Sequence, residues 1–137
     1  MNKKTRRSSL WVKEKNQKYL GIHLIAEFWG GKIIENSKEV EEILIGATKS
    51  AQNTPLKIAV HKFNPQGITG VVLLAESHIA LHLWPEFNYL AIDIFTCGDK
   101  AKPFKALQYL RKKFKPKKVQ VYKIKRGNYA GIEKFLS

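Results

Sequence analysis

The sequence holds a single cysteine, Cys97, among its 137 residues, so it can form no intramolecular disulfide and has no paired-thiol spacing for zinc. Acid is scarce too, with 11 Asp and Glu against 25 Lys and Arg. No apolar run approaches the roughly 18 residues of a membrane span. The basic opening MNKKTRRSSLWVKEKNQKY has no apolar stretch of a secretory signal after it. These absences lead us to expect a soluble, cytoplasmic chain with no membrane contact. Its length suits one compact domain, residues 1–137, fronted by a basic N-terminal arm over residues 1–20.

The basic excess is uneven. Residues 1–20 carry seven Lys/Arg against Glu14, and residues 100–126 carry twelve with no acid, whereas residues 21–99 hold five bases against nine acids. Runs such as RKKFKPKK and KIKRG leave open a non-enzymatic polyanion-binding domain. Charge runs are ordinarily solvated faces, and no nucleic-acid partner is expected.

Residues 22–28 (IHLIAEF) read as a strand with Gly30-Gly31 as its turn. Asn36 sits as an N-cap with Glu39 three residues on, ahead of Val40, Ile43, Leu44 and Ala47 at helical spacing. LKIAVHKF alternates as a half-buried strand, Asn64-Pro65-Gln66-Gly67 is a turn, and ITGVVLLA reads as a well-buried strand. In HIALHLW a period of two separates Ile79, Leu81 and Leu83 from His78, Ala80, His82 and Trp84. YLAIDIF is a further strand. Pro103 opens a second helix with an apolar stripe of Phe104, Leu107, Leu110 and Phe114, Pro116 ends it, and KVQVYKI is the last strand. The order β-α-β-β-β-β-α-β predicts an α+β two-layer sandwich, a mainly antiparallel sheet with two helices packed on one face.

One stretch departs from this pattern, because AESHIALHLWPE places ionisable and nucleophilic groups inside apolar strands. A serine in a strained turn can attack the peptide carbonyl before it when donors stabilise the oxyanion, and Glu76-Ser77 lies where such a hairpin would form. Taken singly, each group has an ordinary reading. Glu76-Ser77 suits a plain turn, His82 a hydrogen-bonded structural group, and Cys97 a small buried hydrophobe.

Taken together, GITGVV at 67–72, AESH at 75–78, IALHLWPE at 79–86 and DIFTCGD at 93–99 resemble the pyruvoyl-dependent S-adenosylmethionine decarboxylases of bacteria and archaea. The likeness runs more loosely from Gly21 to Gly127, and departs at Ile22, at the Trp29-Gly30-Gly31 turn and at Thr69, where serine is usual. The resemblance implies autocatalytic cleavage between Glu76 and Ser77, giving a β chain of residues 1–76 and an α chain of residues 77–137 that begins with a pyruvoyl group made from Ser77. It implies that His82 assists processing and that the Thr69 hydroxyl supports the oxyanion. The ketone would then condense with the substrate amine and accept the electrons released as carbon dioxide leaves, with no pyridoxal phosphate and no metal. Cys97 matches the proton donor, an ordinary thiol being protonated at neutral pH.

Phe63 and Trp84 are candidates to flank an adenine or a sulfonium, and Glu86 to bind ribose hydroxyls; core packing is the alternative for both aromatics. The implied activity is decarboxylation of S-adenosylmethionine to the aminopropyl donor of spermidine synthesis. Arginine or ornithine decarboxylation on the same machinery is the alternative. A homodimer of cleaved chains with shared active sites is implied as well.

Overall fold

In the computed structural model, which describes residues 12–14 and 17–128, a small antiparallel ribbon comes first. Its strands are β1 (Val12–Glu14) and β2 (Gln17–Tyr19). This ribbon falls in the basic arm, where the sequence signalled no strand; residues 1–11 lie outside the described part.

The main sheet follows from the expected strands: β3 (Gly21–Trp29), β4 (Pro55–Lys62), β5 (Ile68–Leu74), β6 (Ser77–Trp84), β7 (Tyr89–Cys97) and β8 (Lys118–Arg126). They lie in the order β4-β5-β6-β7-β3-β8 with every neighbouring pair antiparallel. Short turns explain the β4 to β7 meander, and β3 reaches its place between β7 and β8 because two helical connections carry the chain across the sheet.

Helix α1 (Ser37–Ser50) begins as its sequence predicts. The Asn36 side chain accepts the Glu39 N–H at 2.9 Å, and Val40, Ile43, Leu44 and Ala47 turn inward. Helix α2 (Pro103–Phe114) buries Ala106, Leu107, Leu110 and Phe114. Phe104 leaves the expected stripe: it is 43% exposed, and Lys123 lies over its ring at 5.7 Å. The helices approach closely at Gly46, where a Cβ would fall 2.1 Å from the Tyr109 hydroxyl. Both pack on one face of the sheet, over Leu24, Ala26, Phe28, Val72, Ile79, Leu81, Ile92 and Ile94.

The other face has no helix among the described residues. Residues 68–75, read as a well-buried strand, are buried on the helix side only: the pattern alternates, and Leu73 is 48% exposed. The open face also shows Trp29, Trp84, Tyr122 and Ile124. The registers put all four histidines on it.

Candidate active site

β5 and β6 join through Ala75 and Glu76, with Leu74 opposite Ser77. Three backbone contacts hold this hairpin. The Glu76 carbonyl accepts the Cys97 N–H at 2.9 Å, the Ala75 N–H donates to the Thr54 carbonyl at 3.0 Å, and the Glu76 carboxylate accepts the Thr54 N–H at 2.9 Å. Glu76 is buried at 7% exposure. Ser77, the next residue, has φ +139°, in a region that side chains with a Cβ rarely enter and that costs of order 1–3 kcal/mol. The conformation is imposed from both sides, since Ser77 also pairs with Thr96 on β7.

Cys97 is therefore adjacent to the Glu76-Ser77 peptide, and it is buried. Gly21 lies opposite it, and a Cβ there would come 2.4 Å from the Thr96 carbonyl. Sequence reasoning did not single out Thr96, whose hydroxyl is buried without a hydrogen-bond partner beside Ser77. Its position inside FTCGD was the available signal.

The other candidates gather at the far end of β5 and β6. Thr69 and His82 face each other in register, with Thr69 Oγ1 3.0 Å from His82 Nδ1. They line a cleft of about 350 Å³ with Phe63, Gln66, Trp84 and Glu86, and Gln66 donates to the Glu86 carboxylate at 2.8 Å. Phe63 (48% exposed) and Trp84 (42%) are not core residues. Phe63 meets His61 edge-on at 4.6 Å. Trp84 belongs to an aromatic row across three strands, 5.5 Å from Tyr89, which is 4.4 Å from Trp29. The Tyr89 hydroxyl donates to Glu27. Burial, then that hydrogen bond and the Glu27 charge, push Tyr89 up to about 12.

Within one chain, then, the candidates form two groups. Five residues of strand separate Ser77 from His82, about 16 Å at 3.3 Å per residue. Glu76, Ser77 and Cys97 stand together at one end of the sheet; Thr69, His82, Phe63, Trp84 and Glu86 stand together at the other.

Comparison with known proteins bears on what such a divided site belongs to. The family model described as S-adenosylmethionine decarboxylase matches residues 22–127. An S-adenosylmethionine decarboxylase proenzyme of Clostridium kluyveri is 44% identical over 115 residues, spanning 82% of this chain and 91% of that protein. One from Methanococcus aeolicus is 48% identical over 113 residues, spanning 81% and 97%. The crystal structure of the adenosylmethionine decarboxylase from Aquifex aeolicus superposes with a TM-score of 0.74 at 38% identity, covering 80% of this chain and 92% of that one.

Proposed function

This chain belongs to the S-adenosylmethionine decarboxylase family, and on that premise we propose that it cleaves itself between Glu76 and Ser77 and decarboxylates S-adenosylmethionine to the aminopropyl donor of polyamine synthesis. The observation that carries this reading is the conformation of Ser77, at φ +139° immediately after a carbonyl fixed by the Cys97 N–H. Strain at this residue favours a reaction that removes its tetrahedral Cα.

The processing chemistry follows from the groups at hand. Ser77 Oγ adds to the Glu76 carbonyl carbon, and the Cys97 N–H stabilises the negative oxygen that develops. The C–N bond breaks, the nitrogen takes up the hydroxyl proton, and an ester joins Glu76 to Ser77 Oγ. A base removes the Ser77 Cα proton, the ester C–O bond breaks, and Glu76 leaves as a carboxylate. Hydrolysis of the resulting enamine then releases ammonia and leaves a pyruvoyl group at the head of residues 77–137. The residues present fit that group: the strained position is relieved when its Cα becomes trigonal, and the buried Cys97 stands beside it.

The pyruvoyl ketone supplies the electron sink that amino-acid side chains lack. We assign to the Cys97 thiol the return of a proton to the substrate α-carbon. Phe63 and Trp84 offer aromatic faces to adenine and the sulfonium, and Glu86, oriented by Gln66, offers its carboxylate to the ribose hydroxyls.

His82 cannot serve Ser77 of its own chain across about 16 Å of strand. We therefore assign the working unit to two cleaved copies joined through the open sheet face, where Leu73, Trp84, Tyr122 and Ile124 await cover. Thr69, His82 and the cleft of one copy would complete the Ser77 end of the other, so that His82 is the base in trans. We place the enzyme in the cytoplasm, where Cys97 stays a thiol.

The names of the relatives favour S-adenosylmethionine over arginine or ornithine. The test is carbon dioxide release from each of the three carboxyl-labelled substrates: release from S-adenosylmethionine is expected, and release only from ornithine or arginine would overturn the substrate. Sharing is tested by co-expressing Ser77→Ala with His82→Ala chains. The His82→Ala chain should be cleaved when the partner supplies His82, and failure to cleave would refute the two-copy site.

A further inference from the structure

One cluster of ligating side chains takes no part in this chemistry. His78 on β6, Phe95 on β7 and His23 on β3 lie abreast, because the registers pair His78 with Phe95 and Phe95 with His23. Asp93, two residues before Phe95, points to the same open face. Its carboxylate reaches both imidazoles, with Oδ1 3.1 Å from His23 Nε2 and Oδ2 3.5 Å from His78 Nε2. One ligating atom from each residue lies within 4.8 Å of the other two.

We propose that His23, His78 and Asp93 form a binding site for a divalent first-row transition ion of the zinc type. Zinc bonds of about 2.0–2.2 Å to nitrogen and oxygen put the ligands of a tetrahedron about 3.3–3.6 Å apart; with one ligating atom from each residue within 4.8 Å of the others, side-chain rotation on the fixed strands closes the difference. An independent observation points the same way. His23 Nε2 is buried and has no hydrogen-bond partner, although Asp93 is near, because the pair lacks the alignment of a hydrogen bond. A buried ring nitrogen that misses the nearest carboxylate costs stability unless something else satisfies it, and an ion between the three groups would do so.

The donor set also selects the ion. Two imidazoles and a carboxylate suit Zn²⁺, Co²⁺, Ni²⁺ or Fe²⁺ rather than the hard all-oxygen ions. Three protein ligands leave a fourth position open. The ligands stand on three hydrogen-bonded strands, so little rearrangement is needed to bind. Phe95 walls the site, stacked on His23 at 5.2 Å and edge-on to His78 at 6.0 Å. Since His78 directly follows Ser77, an occupied site would fasten β3, β6 and β7 next to the cleavage point.

The experiment uses the tag-free Ser77→Ala chain, which cannot cleave, so its outcome does not depend on the proposed processing. Chelator-stripped protein is titrated with Co²⁺, followed by its visible absorption, and with Zn²⁺ by calorimetry. One equivalent per chain is expected, with Zn²⁺ raising the thermal midpoint. His23→Gln, His78→Gln and Asp93→Asn should each weaken binding at least tenfold, and His61→Gln should leave it unchanged. Absence of saturable binding in the parent Ser77→Ala chain overturns the site, whether or not the variants fold. Binding untouched by all three substitutions also overturns it.

Discussion

Glycine and alanine at position 77 should separate backbone strain from chemistry. Neither side chain has a hydroxyl, so both chains stay whole and their stabilities compare directly. Alanine keeps a Cβ at φ +139° and with it a cost of about 1–3 kcal/mol. Glycine enters that region freely but loses roughly 0.5–1 kcal/mol in chain entropy. The balance favours Ser77→Gly over Ser77→Ala by about 0–2.5 kcal/mol, centred near 1 kcal/mol. At about 4 °C per kcal/mol for a chain of this size, the centre of that range is a gain of roughly 4 °C in thermal midpoint. Urea denaturation at one fixed protein concentration reads the same difference, since association would otherwise shift both curves. Intact masses confirm that each chain is whole. If the alanine chain is the more stable of the two, Ser77 is not strained, and the proposed driving force for cleavage is absent.

Thr69→Val removes the hydroxyl 3.0 Å from His82 and should slow cleavage by about 10²–10³-fold, the effect of losing one oxyanion donor; Thr69→Ser should cleave at least as fast as the parent, both read by mass over time. Glu76→Ala strips the acceptor from the Thr54 N–H and should cost about 1–3 kcal/mol, measured in the Ser77→Ala background. Tyr89 binds its proton more tightly folded, up to about 12, than the 10.0 of a free tyrosine. Its contribution is therefore complete below pH 10 and lost as pH rises from 10 to 12. Tyr89→Phe should flatten the fall in stability across that window, and an unchanged fall would remove Tyr89 as its source.

The order of the eight main elements was legible because each carries its own local signal. Asn36 and Pro103 open helices, and the alternation read in HIALHLW survives in the burial of Ile79, Leu81 and Leu83 on β6. The β1–β2 ribbon was not legible, being two short polar strands without periodicity. Phe104 misled because Ala106, three residues after Pro103, takes the inward position while the Lys123 ammonium lies over the larger, half-exposed ring. The apolar run of β5 read as a well-buried strand without saying which side, and only one side is covered within a chain.

The candidate site was legible residue by residue but not as an arrangement. The AESH, IALHLWPE and DIFTCGD stretches named Ser77, His82 and Cys97 through the resemblance, and the hairpin brings Glu76, Ser77 and Cys97 together. The separation of Ser77 from His82 could have been counted from the sequence, since five residues along one strand carry a side chain about 16 Å away. His23 and Asp93 could not have been joined to His78 from the sequence. Their meeting depends on β3 lying beside β7 rather than at the sheet edge, a choice made by long-range pairing.

The most direct test of self-cleavage is the intact mass of freshly purified protein beside its Ser77→Ala counterpart. The account predicts two pieces from the parent chain, residues 1–76 and residues 77–137, the second lacking a free amine and carrying a ketone, with the counterpart whole. A parent chain that stays a single polypeptide with an unmodified serine at position 77 would contradict it.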